Sequence, residues 1–355
     1  MSNLKVTIDI ENKSISVYND GKGIPIEMHA TEKIWIPELI FGQLLTSSNY
    51  DDDEAKVTGG RNGYGAKLAN IYSTEFIVET ASSKEGKRYK QVFKDNMSTK
   101  GKPKITDCDG EDWTKITFTP DLVRFNMTEF DPDTVSLIQK RVYDMAGITK
   151  GVKVSLNGKR IVLKNFEAYV KMYTAAVDAA KPVGDAGVDP AAEAAALAKS
   201  TIIYEKFGER WEVAFAVSDG QFQQVSFCNS IATTKGGTHV TYIADQIVTG
   251  LADLIKKKNK NAPVKPFQIK SHISVFVNCL INNPAFDSQT KENMTLGKSK
   301  FGSKCELGED FLKRGAPFWP RSLVSPTLTD SRSQSSSRAS STTCSTGPSS
   351  SRTCS

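Results

Sequence analysis

The stretch Gly59-Gly60-Arg61-Asn62-Gly63-Tyr64-Gly65-Ala66-Lys67 carries four glycines in seven positions. Glycine reaches positive φ without strain and lets backbone N–H groups approach a ligand closely. The apolar spacing of Ala66, Leu68, Ala69 and Ile71 predicts a helix directly after the loop. A helix start offers bare N–H groups and the positive end of the dipole, which suits an anion and above all a phosphate. Arg61 and Lys67 add positive charge on either side. The order is not that of a Walker A loop, because Ala66 precedes Lys67 and Leu68 follows it. The composition also fits a plain surface loop, so the neighbouring motifs decide.

Four further groups have chemistry-bearing side chains. Asn19-Asp20-Gly21-Lys22-Gly23-Ile24-Pro25 follows a strand pattern. An amide at Asn19 can accept and donate, as the edge of an adenine requires, although Asn-Asp-Gly is also ordinary turn chemistry. Ser47, Ser48 and Asn49 offer short polar groups for ribose or phosphate, or else form a helix exit. Thr114 opens a strand where a hydroxyl can reach a base. Gln289, Thr290 and Lys291 lie in a polar loop, Phe286 to Asn293, with its lysine placed to touch an anion. The run Lys256-Lys257-Lys258 closes a long amphipathic helix, where cations also suit the dipole. The acidic run Asp51-Asp52-Asp53-Glu54 reads as a solvated loop, since consecutive carboxylates do not share a face.

The elements that must hold these groups follow from periodicity. Leu4, Val6, Ile8 and Ile10 alternate with polar residues, turn at Glu11-Asn12-Lys13, and alternate again through Ile15 and Val17, which predicts a hairpin. Residues 32 to 45 have helical spacing through Ile36, Leu39, Ile40 and Leu44. Strands are expected at 75–80, 89–93 and 114–118, giving an α+β sandwich with helices over one face of a mainly antiparallel sheet. A helix is expected over 134–147 with Leu137, Ile138, Val142 and Met145 on one face. A hairpin centres on Asn157-Gly158. Later come a helix at 166–175, strands at 211–217, 223–227 and 274–278, and a helix from Val240 to about Lys258.

Composition bounds the class. With 355 residues the chain accommodates two domains, each with its own core. Its 39% hydrophobic and 24% charged residues are those of an ordinary globular protein, and no apolar run reaches the length of a membrane span. Met1 to Val6 carries no charged-then-apolar leader pattern. Six scattered cysteines without a C-x-x-C pair point to reduced thiols rather than a zinc site or disulfide framework. A net charge of +6 permits nucleic-acid contact without arguing for it. The Ala-rich stretch 176–200 reads as an insertion, partly helical or disordered, and the Ser/Arg-rich tail at 315–355 as a disordered segment.

Several motifs stand in one register: Asn-Asp-Gly-Lys-Gly-Ile-Pro at 19–25, Leu-Leu-Thr-Ser-Ser-Asn-Tyr at 44–50 and Gly-Gly-Arg-Asn-Gly-Tyr-Gly-Ala-Lys at 59–67. Asn-Ser-Ile-Ala-Thr at 229–233, Gly-Gly-Thr-His at 236–239 and Gln-Thr-Lys at 289–291 follow. Together they resemble the ATPase and transducer region of eukaryotic type II DNA topoisomerases, from about Leu4 to Lys313. That superfamily also contains gyrase, MutL, a heat-shock chaperone and the sensor histidine kinases.

The resemblance implies an ATP-binding α/β sandwich over 1–162 and a ribosomal S5-like α/β transducer over 163–314. It implies that Asn19 meets the adenine edge, with Thr114 helping to hold the base. It implies Ser47, Ser48 and Asn49 beside ribose and phosphates, and a lid of Gly60, Arg61, Asn62, Gly63, Tyr64, Gly65, Ala66 and Lys67 around the triphosphate. Gln289, Thr290 and Lys291 match the transducer loop that reaches the γ-phosphate and so distinguishes ATP from ADP. Lys256, Lys257 and Lys258 match a basic loop facing DNA. Family membership further implies Mg²⁺, a homodimeric gate for double-stranded DNA, no membrane, and a nuclear location.

In the family, a general-base glutamate and a Mg²⁺-binding asparagine precede the first hairpin, and the cleavage core follows the position of Lys313. The sequence as written contains neither, and Asp20, Glu27 and Glu54 lie in the wrong motifs to replace the base. The expectation is a chain without a catalytic base, for which turnover falls by about two to four orders of magnitude. The alternatives are a non-catalytic ATP- or DNA-binding truncation product, a fragmentary gene model, or another ATPase of the superfamily such as a MutL-like protein.

Overall fold

A computed structural model of the chain describes residues 1–44, 46, 54–60, 63–180, 202–218, 220–258 and 264–315. The expectations for Ser47, Ser48, Asn49, Asp51 to Asp53, Arg61, Asn62, residues 181–200 of the Ala-rich stretch and the tail from 316 onward lie outside these residues.

The first half builds one twisted sheet from β1 (Asn3–Asp9), β2 (Ser14–Asn19), β3 (Ser73–Ser82), β4 (Lys87–Lys94), β5 (Thr99–Lys100), β6 (Lys104–Asp107), β7 (Trp113–Pro120), β8 (Lys153–Leu156) and β9 (Lys159–Arg160). Its order is β5-β4-β3-β7-β2-β1-β8-β9, with β6 on β4. Every pair is antiparallel except β1 with β8. Period-two burial selects the inner face: Phe76, Val78 and Thr80 of β3 are buried, as are Tyr89, Gln91 and Phe93 of β4. Helices α1 (Ile36–Gly42) and α2 (Tyr64–Ile71) supply Phe41, Ala66 and Ala69 to this core. Helix α3 (Pro132–Ile148) covers the β1–β2–β8 end with Val142 and Ala146. Asn157 and Gly158 both take positive φ, the geometry a two-residue hairpin needs.

The second half forms a mixed sheet. Its strands are β10 (Ile203–Phe207), β11 (Trp211–Val217), β12 (Gln223–Cys228), β13 (Ile231–Ala232) and β15 (Ile273–Cys279), in the order β10-β11-β15-β12-β13. A separate two-stranded ribbon pairs β14 (Gly236–Gly237) with β16 (Asn293–Met294). Both faces of the larger sheet are covered. Val213, Phe215 and Val275 face a core with Ile243, Ile247 and Leu251 of the helix Thr238–Lys258, whereas Ala214 and Phe276 join Phe166 and Tyr169 of α4 (Phe166–Ala180). Double coverage explains why β11 reads as a continuous apolar run rather than an alternating one. The helix Thr238–Lys258 is α5; the short helices Pro266–Lys270 and Glu309–Gly315 are α6 and α7.

The architecture is the expected α+β one, with three local corrections. The first helix spans Ile36–Gly42 rather than 32–45, because Pro37 suits only the first turn of a helix, and Leu44 is 52% exposed. In α3, Leu137 points outward at 53% exposure while Ala146 takes its place in the core. Helix α4 continues to Ala180, so the Ala-rich stretch begins inside it.

Candidate functional site

The first part of the candidate site grows from two neighbouring strand tips. Asn19 closes β2 directly opposite Thr114 of β7. Asn19 Oδ1 accepts from Gly21 N at 3.0 Å, which leaves Nδ2 without a partner among the described residues. A Cβ on Gly21 would stand 2.9 Å from that same oxygen. Thr114 Oγ1 lies 3.0 Å from Thr80 Oγ1, and the buried Thr80 accepts from Ile24 N at 3.1 Å. Thr80 thereby pins the turn after β2 against β3. Gly23 completes the contact, since a Cβ there would fall 1.8 Å from the Ala81 carbonyl oxygen. Thr80 went unnoticed in the sequence because a threonine in a strand carries no signal of its own.

The second part of the candidate site is the start of α2, where the sequence predicts a phosphate. Gly63 adopts the left-handed conformation as its N-cap, with no side chain capping the exposed N–H groups. Tyr64, Gly65, Ala66 and Lys67 form the first turn. A Cβ at Gly60 or Gly65 would meet nothing within 4 Å, so the backbone there borders open space that a ligand can approach. Lys67 behaves differently from a surface lysine. It is buried, and its Nζ donates to Thr46 O at 2.7 Å and to Gly63 O at 3.1 Å. Burial pulls its pKa down from the ordinary lysine value. Its cation therefore ties the start of α2 to the segment after α1 at Thr46.

The second sheet reaches the lid through Lys291. Its Nζ donates to Gly59 O at 2.8 Å, and desolvation at this contact lowers its pKa. Gly59 itself is pressed against the β12–β13 turn, where a Cβ would stand 2.6 Å from Ile231 Cδ1. Asn229 Nδ2 donates to Thr58 O at 3.2 Å. Gln289 and Thr290 are exposed beside Lys291, and Thr290 Oγ1 lies 2.9 Å from Ser288 Oγ. Asn229, Ile231 and Asn283 escaped sequence reasoning as site residues, because nothing local to them announces a contact with residues near 58.

The loop of Lys291 leads into β16, and β14 pairs with it just before α5 begins at Thr238. Gly237 allows this approach: a Cβ there would lie 2.3 Å from Met294 O. Lys256 and Lys257 are exposed near the other end of α5, roughly 30 Å away at 1.5 Å per residue. Lys257 Nζ pairs with Glu309 Oε1 at 3.0 Å. The structure thus joins Gly59, Lys67 and Lys291 around the lid and Asn19 with Thr114 at the strand tips, and sets the lysine run apart from both.

Two of the three acidic candidates, Asp20 and Glu54, are already engaged, whereas Glu27 is exposed. Asp20 accepts from Ser2 N and Asn3 N at 2.6 Å and from Asn3 Nδ2 at 2.5 Å, which holds its pKa down at about 2. Glu54 pairs with Lys56 at 2.9 Å. Cys108, Cys228, Cys279 and Cys305 are buried free thiols, and no group of three or more His, Cys, Asp or Glu among the described residues can hold a metal ion. No helix among them is long and apolar enough to cross a membrane.

The DNA gyrase B family model matches residues 165–313. DNA topoisomerase 2 of Penicillium chrysogenum is 58% identical over 315 residues, covering 88% of this chain and 19% of that protein. The Arabidopsis thaliana enzyme of the same name is 56% identical over 316 residues, covering 88% and 20%. The chain spans about a fifth of the length of these relatives. Among solved structures, the ATPase region of Saccharomyces cerevisiae topoisomerase II superposes with a TM-score of 0.78 at 51% identity, covering 88% of this chain and 76% of that one. The ATPase and transducer domains of Balamuthia mandrillaris DNA topoisomerase II give 0.79 at 43% identity, covering 89% and 76%.

Proposed function

This chain belongs to the eukaryotic type II DNA topoisomerase family, as its ATPase and transducer region, and from that premise we propose that it binds ATP and couples the nucleotide's state to passage of a DNA duplex. In this reading residues 1–162 form the ATP-binding domain and 163–314 the transducer. Asn19 and Thr114 meet the adenine, with Asn19 Nδ2 the donor. Ser47, Ser48 and Asn49 attend the ribose and phosphates. The N–H groups of the lid, Gly60 to Lys67, surround the triphosphate with Arg61 and Asn62. Gln289, Thr290 and Lys291 meet the γ-phosphate from the transducer.

The observation that carries the reading is the 2.8 Å bond between Lys291 and Gly59, the residue directly before the lid. A lysine already docked beside the lid has a γ-phosphate within reach of a small rotation. Loss of that phosphate removes one of its anionic partners, and a two-state domain arrangement responds to such a change. Helix α5 then carries the motion from β14 toward Lys256, Lys257 and Lys258, which contact the DNA backbone in this reading. The open backbone at Gly60 and Gly65 fits a triphosphate. Mg²⁺ belongs to the proposal at the level of the family, and no group of three or more His, Cys, Asp or Glu among the described residues could hold it. No general base is assigned, since Asp20 and Glu54 are held elsewhere and Glu27 lies in the wrong motif to replace one. Dimerisation and a nuclear location belong to the same proposal at the level of the family.

Calorimetric titration with ATP, GTP and ADP tests the reading. Asn19→Asp keeps the oxygen that accepts from Gly21 N but removes the donor. Saturable ATP binding that favours ATP over GTP, weakened by about tenfold in Asn19→Asp, is the expected result. Absence of saturable binding, or equal affinity for ATP and GTP in both proteins, overturns it.

A further inference from the structure

The segment leading into the lid is held by the second half of the chain at almost every other residue. Asn283 Oδ1 accepts from Lys56 N at 2.9 Å and Asn283 Nδ2 donates to Glu54 O at 3.1 Å. The Asn283 N–H donates to Lys56 O at 2.9 Å. Asn229 Nδ2 reaches Thr58 O and Lys291 Nζ reaches Gly59 O. One asparagine therefore supplies both a side-chain amide and a backbone N–H, much as a neighbouring strand would. Its φ of 41° is a conformation asparagine tolerates better than most residues.

The stem buries little of its own. Glu54, Ala55 and Thr58 are exposed, and Val57 is 41% exposed. A segment that buries so little apolar surface opens locally at small cost unless hydrogen bonds restrain it. Asn229 cannot be the dedicated restraint, because its side chain also accepts from Ile281 N and donates to Ile281 O within the second sheet's own framework. Asn283 lies beyond β15 and directs both polar atoms of its side chain at the stem backbone.

We propose that Asn283 is a positioning residue for nucleotide binding: it clamps the stem at Glu54 and Lys56 so that the lid is presented to a triphosphate in register with Lys291. This rests on the ATP-binding reading above. The clamp also means that any displacement of the transducer drags the lid with it, independently of the lysine's own contact with phosphate.

Asn283→Gly removes the side chain while accepting the positive φ without strain. In the full chain, amide exchange at Lys56 and the affinities for ADP and for the β,γ-imido analogue of ATP are measured on both proteins. The expected result is Lys56 exchange at least about tenfold faster, a thermal midpoint within about 2 °C of wild type, and analogue affinity lowered about tenfold with ADP affinity little changed. A uniform structural defect lowers both affinities together. Unchanged Lys56 exchange, or an equal loss for both nucleotides, overturns the proposal while leaving ATP binding intact. A wild-type protein that binds neither nucleotide overturns the ATP reading itself, and the role given to Asn283 falls with it.

Discussion

Lys291 donates to the carbonyl of Gly59 from 232 positions further along the chain. The bond joins the loop before β16 to the residue directly ahead of Gly60, and so joins the two sheets. Glycine suits that docking, because a Cβ at Gly59 would stand 2.6 Å from Ile231 Cδ1, which would have to shift, and 3.1 Å from the Asn229 carbonyl oxygen.

Gly65 separates fold from function. It lies inside α2, where alanine is a better helix former by about 1 kcal/mol, and its Cβ position is unobstructed. Gly65→Ala is expected to leave stability equal or slightly higher while lowering triphosphate affinity by about tenfold, through a methyl group between backbone and phosphate. Thermal melts and nucleotide titration on the same protein check both halves. Unaltered affinity removes Gly65 from the site.

His239 sets a pH dependence of stability. It is fully buried at the start of α5, its Nε2 lies 3.0 Å from Thr233 Oγ1, and its Nδ1 has no partner among the described residues. Burial disfavours the imidazolium and pushes its pKa down to about 4 from 6.5. Between those values the unfolded chain binds the extra proton, so stability is complete above about pH 6.5 and falls as pH drops toward 4. The full loss is on the order of 3 kcal/mol. Denaturant melts at pH 7 and pH 4.5 should differ by much of this amount, and His239→Gln should flatten the difference. An equally steep decline in the variant would place the titrating group elsewhere.

The lysine run predicts a salt-dependent interaction. Lys256→Ala with Lys257→Ala is expected to weaken duplex DNA binding and to reduce the slope of log affinity against log salt by about two. Lys257→Ala also breaks the pair with Glu309, a solvent-exposed contact that adds little to stability, so folding should survive. Fluorescence anisotropy across a salt series measures the slope. An unchanged slope would move the DNA contact away from this helix end.

Much of the fold is legible in local patterns. The hairpin at Asn157-Gly158, the β1–β2 pair and the helix after the lid each follow from them, and tertiary packing kept all three. Leu137 and Leu44 misled because helical spacing alone does not say where the neighbouring sheet ends. The loop motifs singled out Asn19, the lid and Lys291, but the contacts these residues make depend on pairings far apart in sequence. Asn283 and Thr80 could not be read at all, since each acts through backbone groups of residues more than fifty positions away.

The link between the second sheet and the γ-phosphate is tested by titrating wild type and Lys291→Met with ADP and with the β,γ-imido analogue of ATP. Methionine keeps most of the length of the side chain and removes its charge. The variant should lose about tenfold or more in affinity for the analogue and almost nothing for ADP, so that the preference for the triphosphate collapses. A variant that still prefers the triphosphate as strongly as wild type would contradict the assignment of Lys291 as the group that reaches the γ-phosphate.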